Sequence, residues 1–233
     1  MIKSFQWLEA GNTRFPPLDS ALSEPNGLLA IGGDLTSNRI IEAYKQGIFP
    51  WYNEGEPILW WYPKPRAILQ FKDLYINKTL RKQLKKSPYR VSINTNFTHV
   101  ISLCANAPFR ADETWITKEM LLAYTRLHEE GYAHSIEVWL NDQLVGGLYG
   151  IAINGYFSGE SMFYTQPNAS KFALVALCEL LASEGVSFVD CQIMNPFLAS
   201  MGCKEVALTE FQQLQSKMAK LSVSSELWRP REL

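Results

Sequence analysis

The stretch YFSGESMFYTQPNASKFALVALCELLASEGVSFVDCQI, residues 156–193, decides the fold. The run at residues 156–163 has a period of two, which predicts a strand. The long apolar segment at residues 172–184 predicts a helix, and residues 186–193 predict a buried strand directly after it. A strand, a helix and a strand with short connections form a βαβ unit, so the two strands are expected to be parallel with a right-handed crossover.

Two more strands are predicted just before this unit. Residues 134–140 and 143–151 both have a period of two. The second run is separated from the strand at residues 156–163 by Asn154-Gly155, a sequence that favours a type I′ hairpin turn. The three strands therefore predict an antiparallel meander.

Helical patterns occupy most of the remaining chain beyond residue 66. Apolar side chains at helical spacing, followed by helix-stopping residues, predict four helices. These helices lie over residues 78–86, 97–104, 117–130 and 209–221. Thr209 and Gln212 are expected to form the capping box of the last helix.

The first 65 residues show less regular hydrophobic periodicity than the rest of the chain. Seven prolines interrupt them, and only one segment predicts a helix, beginning after Thr36 or Ser37 and ending at Gly47. A regular rhythm begins at about residue 66. We therefore predict two domains, over residues 1–65 and residues 66–233.

The composition narrows the function classes. The chain has 233 residues, 47% hydrophobic and 19% charged, with 22 basic against 23 acidic side chains. This balance excludes a disordered chain and a polycation, so any nucleic-acid binding must come from a local patch. No apolar segment has the length of a membrane span, and the N-terminus lacks the apolar core of a signal peptide. We expect a cytoplasmic protein that does not bind membranes.

Three polar residues occupy two strands of the predicted sheet. Asp190 and Gln192 alternate onto one face of the last strand, and Glu160 lies on the neighbouring run. Carboxylates on otherwise apolar strands are costly to desolvate unless they are paired or hydrogen-bonded. They are therefore either structural ion pairs or functional groups, and the pattern alone leaves both open.

A basic cluster lies in KTLRKQLKKSPYR, residues 78–90, which has six basic side chains and no acidic one. Helical spacing places Lys78, Lys82, Lys85 and Lys86 on or near one side of the helix. Such a run is often only a solvated face. The same concentration of charge also suits a phosphate backbone.

Aromatic side chains are concentrated in GIFPWYNEGEPILWWYP, residues 47–63. Most are expected in the core of a small proline-rich domain, although one exposed tryptophan could stack on a nucleobase. The histidines and cysteines, in contrast, match no metal-binding, redox or nucleophile motif. We expect no metal and reduced thiols.

Read together, the motifs resemble one known family. They are EPNGLLAIGGDL (24–35), GIFPWY (47–52), ILWWYPKPRAIL (58–69), TWIT (114–117), HSIEVW (134–139), LVGGLYG (144–150), GESMF (159–163) and DCQ (190–192). In this order, through nearly the whole chain, they resemble the bacterial leucyl/phenylalanyl-tRNA–protein transferases. The resemblance implies an α+β fold: a small N-terminal α+β domain, then a domain similar to the GNAT acyltransferases with a mixed sheet.

The resemblance also implies an activity. Leucine or phenylalanine, and weakly methionine, would pass from charged tRNA to the N-terminal α-amine of proteins beginning with Arg or Lys, which marks them for proteolysis. The aminoacyl ester is already activated, so no cofactor is expected, because holding ester and amine in line supplies much of the acceleration. The partners implied are Leu-tRNA, Phe-tRNA and the acceptor proteins, and the enzyme is expected to act as a monomer.

Site residues are implied by position in the family motifs. The active-site residues fall on Glu160, Asp190 and Gln192. Asp190 is expected to orient and polarise Gln192, Gln192 to contact the attacking amine or the ester carbonyl, and Glu160 to position the amine or the cationic side chain of the acceptor. The general base is unassigned. The tRNA 3′ adenosine falls near Trp51 and Trp115, and the acceptor-stem phosphates near the four lysines of the basic helix. The aminoacyl pocket falls on Leu148, Phe157, Leu177, Leu181 and Val189.

Two other functions are compatible with parts of the sequence. A CoA-dependent N-acetyltransferase needs a glycine-rich loop ahead of its central helix to hold pyrophosphate, and FYTQPNASKFAL, residues 163–174, lacks it. A non-catalytic RNA-binding module would use the basic helix and the aromatics. That function would leave Glu160, Asp190 and Gln192 without a purpose.

Overall fold

The computed structural model describes residues 6–107 and 114–233, which form two β-sheets and seven α-helices within those ranges. The strands are β1 (Gln6–Leu8), β2 (Leu28–Gly32), β3 (Phe49–Pro50), β4 (Leu59–Trp61), β5 (Arg66–Gln70), β6 (Arg90–Ile93), β7 (Ala133–Leu140), β8 (Gln143–Ile153), β9 (Tyr156–Tyr164), β10 (Phe188–Gln192), β11 (Lys204–Val206) and β12 (Arg231–Glu232). The helices are α1 (Ser37–Lys45), α2 (Lys78–Lys86), α3 (Phe97–Ala105), α4 (Lys118–Glu129), α5 (Ala169–Ser183), α6 (Pro196–Ser200) and α7 (Leu208–Ala219).

The strand-helix-strand unit and the meander are confirmed. Strands β9 and β10 run parallel on either side of α5 in the sequence, and β7, β8 and β9 pair antiparallel in order. The large sheet has the order β11-β5-β10-β9-β8-β7-β6-β12. Because β5 and β10 are antiparallel whereas β10 and β9 are parallel, the sheet is mixed, in agreement with the predicted α+β class.

Helices cover both faces of this sheet. A Cβ placed on Gly146 would collide with Ala169 of α5, whereas a Cβ on Gly147 would meet Val100 of α3. Successive residues of a strand point to opposite faces, so α5 and α3 pack on opposite sides of β8. The glycines allow both helices to approach the strand closely.

A four-stranded sheet of order β1-β2-β4-β3 forms the N-terminal part of the chain. Its strands are two to five residues long. The sequence predicted helix α1 in this part of the chain but none of these strands individually. The short segment between Trp61 and Arg66 connects it to the large sheet. Buried side chains of both sheets join one continuous hydrophobic core, in which Trp60 and Phe211 are fully buried.

Two local predictions were wrong. Helix α7 begins at Leu208 with Ala207 as its N-cap, so Thr209 lies inside the helix instead of capping it. Gln212 donates from Nε2 to the Tyr62 hydroxyl at 3.0 Å, a tertiary contact that replaces the expected capping box. In the Asn154-Gly155 turn, Asn154 has a φ of 53° but Gly155 is not in the left-handed region, so the turn is not type I′.

Strands β9 and β10 separate almost as soon as they meet. Their register contains a single pair, Ser158 with Asp190. Beyond it, Glu160 is an extra residue in β9 relative to β8, and Cys191 is an extra residue in β10 relative to β5. Such bulges bend a strand and redirect its side chains, so they open the sheet at this point.

No helix in the described ranges is both long and apolar enough to cross a membrane.

Candidate active site

A cavity of about 650 Å³ lies where β9 and β10 separate. Its wall is mostly apolar and comes from β8, β9, α5, α6 and the segment around Trp51. Glu160 and Gln192 supply polar groups at the two bulges. An apolar pocket with a few convergent polar groups is the usual form of a small-ligand site.

Glu160 and Gln192 contact each other in this cavity. The Gln192 amide donates from Nε2 to Glu160 Oε1 at 2.7 Å and to Ser158 Oγ at 3.2 Å. Gln192 has a φ of 63°, a left-handed conformation that residues with a Cβ rarely adopt. The prediction that these two residues lie together on adjacent strands is therefore confirmed in position, although bulges and not simple alternation bring them together.

Asp190 is fully buried and does not contact the Gln192 side chain. The Arg66 guanidinium donates to both of its oxygens, from Nε at 2.8 Å and from Nη2 at 2.6 Å, and the Tyr156 hydroxyl donates to Oδ2. The backbone N–H of Gln192 donates to Asp190 Oδ1 at 3.0 Å. Asp190 therefore holds the backbone of Gln192. It makes no direct contact with the Gln192 side-chain amide that it was expected to polarise.

A short hydrogen-bonded chain leads away from Glu160. Tyr124 donates to Glu160 Oε2 at 3.3 Å, and the hydroxyls of Tyr124 and Tyr44 are 2.5 Å apart. Burial raises the pKa of both tyrosines well above the usual value, so both remain protonated donors at neutral pH.

The pKa of Glu160 is raised to about 7. Burial is the largest cause, and the negative charge of Asp190 adds to it, while hydrogen bonds from Tyr44, Gln192 and Tyr124 oppose it. A carboxyl group with a pKa near 7 can exchange a proton with a ligand at physiological pH. Glu160 is thus the group of this cavity suited to acid–base chemistry.

Cys191 also lines the cavity but is not activated as a nucleophile. Its hydrogen bond with Cys203, together with burial, raises the pKa of the Cys191 thiol. A thiol needs a lowered pKa to react as thiolate. Cys191 is therefore not a candidate nucleophile of this cavity.

Both predicted tryptophans line the cavity. Trp51 is 42% exposed and lies against Trp61, with ring centroids 5.8 Å apart. Trp115 is partly buried and lies on the same cavity. Two accessible indole faces on one cavity can stack on a planar ring.

The predicted pocket residues separate into two groups. Leu148, Leu177 and Val189 line the cavity. Phe157 is buried against Trp228, with ring centroids 5.7 Å apart, and Leu181 is buried in the core, so both fall outside the cavity lining that the described residues form. Met162 and Leu174 line the cavity in addition and were not predicted.

The basic helix forms as predicted. Asn77 caps α2 by accepting a hydrogen bond from the Leu80 N–H, and Leu80 is buried while Lys78, Lys82, Lys85 and Lys86 are all exposed. These lysines form no ion pair with any residue of the described ranges. Gln83 of α2 accepts a hydrogen bond from Asn168, the residue before α5, so the helix packs beside one wall of the cavity.

Sequence reasoning missed the groups that contact the predicted residues. Arg66, Tyr156, Tyr124 and Tyr44 come from β5, β9, α4 and α1. Each is fully buried. A buried arginine within the apolar run RAIL, residues 66–69, is a signal that could have pointed to a buried acidic partner.

The described residues contain no group of three or more His, Cys, Asp or Glu side chains that could hold a metal ion.

Comparison with known proteins identifies the family. The leucyl/phenylalanyl-tRNA protein transferase model matches residues 68–216, and the model for the N-terminal domain of that transferase matches residues 33–64. A leucyl/phenylalanyl-tRNA–protein transferase of Colwellia psychrerythraea is 54% identical over 97% of this chain and 96% of that protein. The one from Pseudoalteromonas atlantica is 48% identical over 100% and 99%.

Among solved structures, a crystal structure of FemX covers 77% of this chain and 71% of its own at 9% identity, with a TM-score of 0.47. A GCN5-related N-acetyltransferase from Kribbella flavida covers 72% and 60% at 8% identity, with a TM-score of 0.36. The family models and the relatives just described carry the assignment. The chain therefore belongs to the leucyl/phenylalanyl-tRNA–protein transferase family of enzymes.

Proposed function

We propose that this enzyme transfers leucine or phenylalanine, and weakly methionine, from charged tRNA to the α-amine of proteins that begin with Arg or Lys. The observation that carries the proposal is that the Glu160–Gln192 pair lies in the same cavity as a mostly apolar wall. The wall suits an apolar aminoacyl side chain, and the polar pair lies where ester and amine would meet. The product would be a protein with a new N-terminal residue that marks it for proteolysis.

The reaction is an aminolysis. The amine nitrogen forms a bond to the ester carbonyl carbon, the bond from that carbon to the ribose oxygen breaks, and the ribose oxygen gains a proton. We assign Glu160 as the group that accepts the proton lost by the amine, because its pKa of about 7 leaves a large ionised fraction at neutral pH. An α-amine has an ordinary pKa of about 8, so modest assistance suffices.

Gln192 holds the reacting groups in this proposal. Its amide donates to Glu160 and, at the longer distance of 3.2 Å, to Ser158 Oγ; the second N–H can leave Ser158 and donate to the ester carbonyl oxygen as negative charge develops there. Asp190 acts through the backbone of Gln192 and not on its side-chain amide.

The tRNA is bound by two surfaces in this proposal. Trp51 and Trp115 stack on the terminal adenine, and the exposed lysines of α2 bind acceptor-stem phosphates. Binding to phosphates is largely independent of base sequence. We place the reaction in the cytoplasm, where charged tRNA is made, and propose that the enzyme acts as a monomer.

The aminoacyl side chain would lie on Leu148, Leu177 and Val189, with Met162 and Leu174 extending the same wall. Phe157 and Leu181, the other two predicted pocket residues, would support this wall from the core behind it. A wall of this kind separates substrates that differ by one methylene by about 1–3 kcal/mol. Weak use of methionine is therefore expected.

Residues 66–233 are proposed to form the GNAT-like domain and residues 1–65 a separate N-terminal domain. The supporting observations are the two sheets and the parallel β9–α5–β10 unit in the second of them. A CoA-dependent reaction is disfavoured, since the segment before α5, TQPN at residues 165–168, has no glycine.

The test is a mass-shift assay with purified protein, labelled Leu-tRNA and a peptide that begins with Arg, without ATP or CoA. A peptide that begins with Gly is the control. A gain of one leucine on the Arg peptide alone supports the proposal. No gain, with charged tRNA still bound at low salt, would contradict it and favour a binding module or another acyl donor.

Charge reversal tests the tRNA surface. The double variant Lys82→Glu/Lys85→Glu is expected to lower the affinity for charged tRNA at least tenfold at low salt and to flatten its salt dependence. The matched control is Lys217→Glu/Lys220→Glu, which reverses two exposed lysines at the same spacing on and just after α7. Equal affinities for both double variants would contradict a role for α2.

A further inference from the structure

Arg66 is buried at the base of the site, where water cannot solvate its positive charge. It is fully buried, and its guanidinium lies 5.2 Å from the ring centroid of Phe49 and 4.6 Å from that of Phe211. Its Nε and Nη2 each donate a short hydrogen bond to one oxygen of Asp190, which makes a bidentate ion pair. Burial alone lowers the pKa of Arg66, but the adjacent Asp190 carboxylate outweighs that effect and raises it.

Asp190 passes this constraint to the bulge in β10. Its Oδ1 accepts from Arg66 and also from the Gln192 backbone N–H, while its Oδ2 accepts from Arg66 and Tyr156. The bulged residue Cys191 lies between the two ends of this contact. The carboxylate therefore bridges the start and the end of the bulge.

The conformation held in this way is an unfavourable one. Gln192 has a φ of 63°, which for a residue with a Cβ persists only when surrounding contacts enforce it. This backbone conformation determines where the side chain points, and the Gln192 amide reaches Glu160 and Ser158 from it. A carboxylate free to rotate would leave the Gln192 N–H without a partner.

We propose that Arg66 is a positioning residue for the transfer reaction: through Asp190 it holds the left-handed backbone of Gln192 that directs the Gln192 amide to Glu160. This inference rests on the proposed function, since it concerns the same site. Tyr156 is the second support of the Asp190 carboxylate. Neither residue is expected to touch the substrates.

Arg66 also sets the charge beside Glu160. The ionisable groups that act on Glu160 directly are Asp190 of β10, Tyr124 of α4 and Tyr44 of α1. Tyr149 of β8 and Cys191 of β10 line the same cavity, whereas Arg66 of β5 and Tyr156 of β9 contact Asp190. The raised pKa values of Tyr44, Tyr124, Tyr156 and Cys191 keep these groups neutral at pH 7, so the Arg66–Asp190 pair supplies the fixed charges. Loss of the cation would leave an uncompensated anion near Glu160 and make its ionisation harder.

Three variants separate geometry from charge. Arg66→Lys keeps the cation but loses the bidentate contact, and Tyr156→Phe removes one hydrogen bond to Asp190. Both variants are expected to lower kcat about tenfold with an unchanged pH midpoint. Arg66→Gln removes the cation and is expected to raise the midpoint by about one pH unit as well. In all three, KM for charged tRNA is expected to stay within about twofold, because the tRNA surfaces are intact.

The matched control is Arg39→Gln. Arg39 is also fully buried and also pairs with an aspartate, Asp34, at 3.2 Å, but this pair lies outside the cavity lining formed by the described residues. This variant is expected to lose stability without a change in kcat or in the pH midpoint of the folded enzyme.

The experiment measures the pH dependence of steady-state transfer from Leu-tRNA to an Arg peptide. Wild type and all variants are measured in parallel, and folding is checked by circular dichroism. A folded Arg66→Gln protein with wild-type kcat and midpoint would overturn the inference. If that variant does not fold, wild-type kcat in both Arg66→Lys and Tyr156→Phe would overturn it. An inactive wild type would overturn the proposed function together with this inference, whereas an active wild type with unchanged variants overturns this inference alone.

Discussion

Glu137 on β7 and Glu160 on β9 flank the same strand, β8, yet the protein surrounds the two carboxyl groups differently. Glu137 is completely buried and accepts four hydrogen bonds, from the hydroxyls of Ser92, Ser135 and Thr95 and from the Thr95 backbone N–H. These donors satisfy both oxygens. Glu137 is thereby a structural group, enclosed by its neighbours.

Glu160 is surrounded by fewer donors and faces a cavity. Gln192 and Tyr124 donate to it at 2.7 and 3.3 Å, and burial raises its pKa to about 7. Burial of a carboxyl group therefore does not by itself mark a reactive one. Both oxygens of Glu160 also accept hydrogen bonds, so what distinguishes it is a raised pKa together with access to a ligand space.

The largest expected effect is on catalysis. Glu160→Gln keeps the shape of the side chain but cannot accept a proton, so transfer from Leu-tRNA to an Arg peptide is expected to fall at least about 100-fold. The measurement is single-turnover transfer at pH 7.5, with tRNA affinity determined on the same sample. A rate within about threefold of wild type would contradict the assigned role.

Glu137→Gln is expected to act on stability instead. The variant loses charge-assisted hydrogen bonds from Ser92, Ser135 and Thr95, which is expected to cost about 3 kcal/mol of unfolding free energy. Urea denaturation measures the cost. The comparison breaks down if the folded variant loses transfer activity as completely as Glu160→Gln does.

The pH dependence of stability should also report on Glu160. Because the pKa of Glu160 is raised above the unfolded value of 4.5 to about 7, the folded state holds a proton that the unfolded state releases in this interval. The Glu160 contribution is therefore full below pH 4.5 and lost as the pH rises through 7, a change of about 3 kcal/mol. In Glu160→Gln this loss should disappear, which urea denaturation at pH 5 and pH 8 can check. An unchanged difference between the two pH values would count against the raised pKa.

The smallest effect is expected for Tyr124→Phe. Its hydroxyl donates to Glu160 and lowers the pKa of that carboxyl group, so removal should raise the pH midpoint of transfer by less than about one unit. Activity at pH 7 should fall a few-fold and recover at pH 8.5. A midpoint that moves down would show that Tyr124 does not stabilise the Glu160 carboxylate.

The βαβ core was predictable because its signals are local. Period-two runs and one long apolar helix are enough to place β9, α5 and β10, and through them to bring Glu160 near Gln192. The short strands of the N-terminal sheet were not predictable in the same way. Prolines interrupt them, and their pairing depends on partners distant in sequence.

The site was predictable only in outline. Alternation correctly groups residues of β9 and β10, but it does not foresee the bulges at Glu160 and Cys191 that open the cavity. The partner of Asp190 is Arg66, 124 positions away, and no local pattern connects the two. Phe157 has the apolar character expected of a pocket residue, yet it packs on Trp228 near the C-terminus, a contact that only the folded chain defines.

The proposed reaction depends on Glu160 as the titrating group of the site. Its most direct test is the carboxyl titration of Glu160 followed by carbon-13 NMR in protein labelled at glutamate, with Glu160→Gln used to assign the signal. We expect a midpoint near pH 7 for this signal. A midpoint below pH 5 would contradict the account, because Glu160 would then be a fully ionised, weakly basic carboxylate throughout the working range of the enzyme.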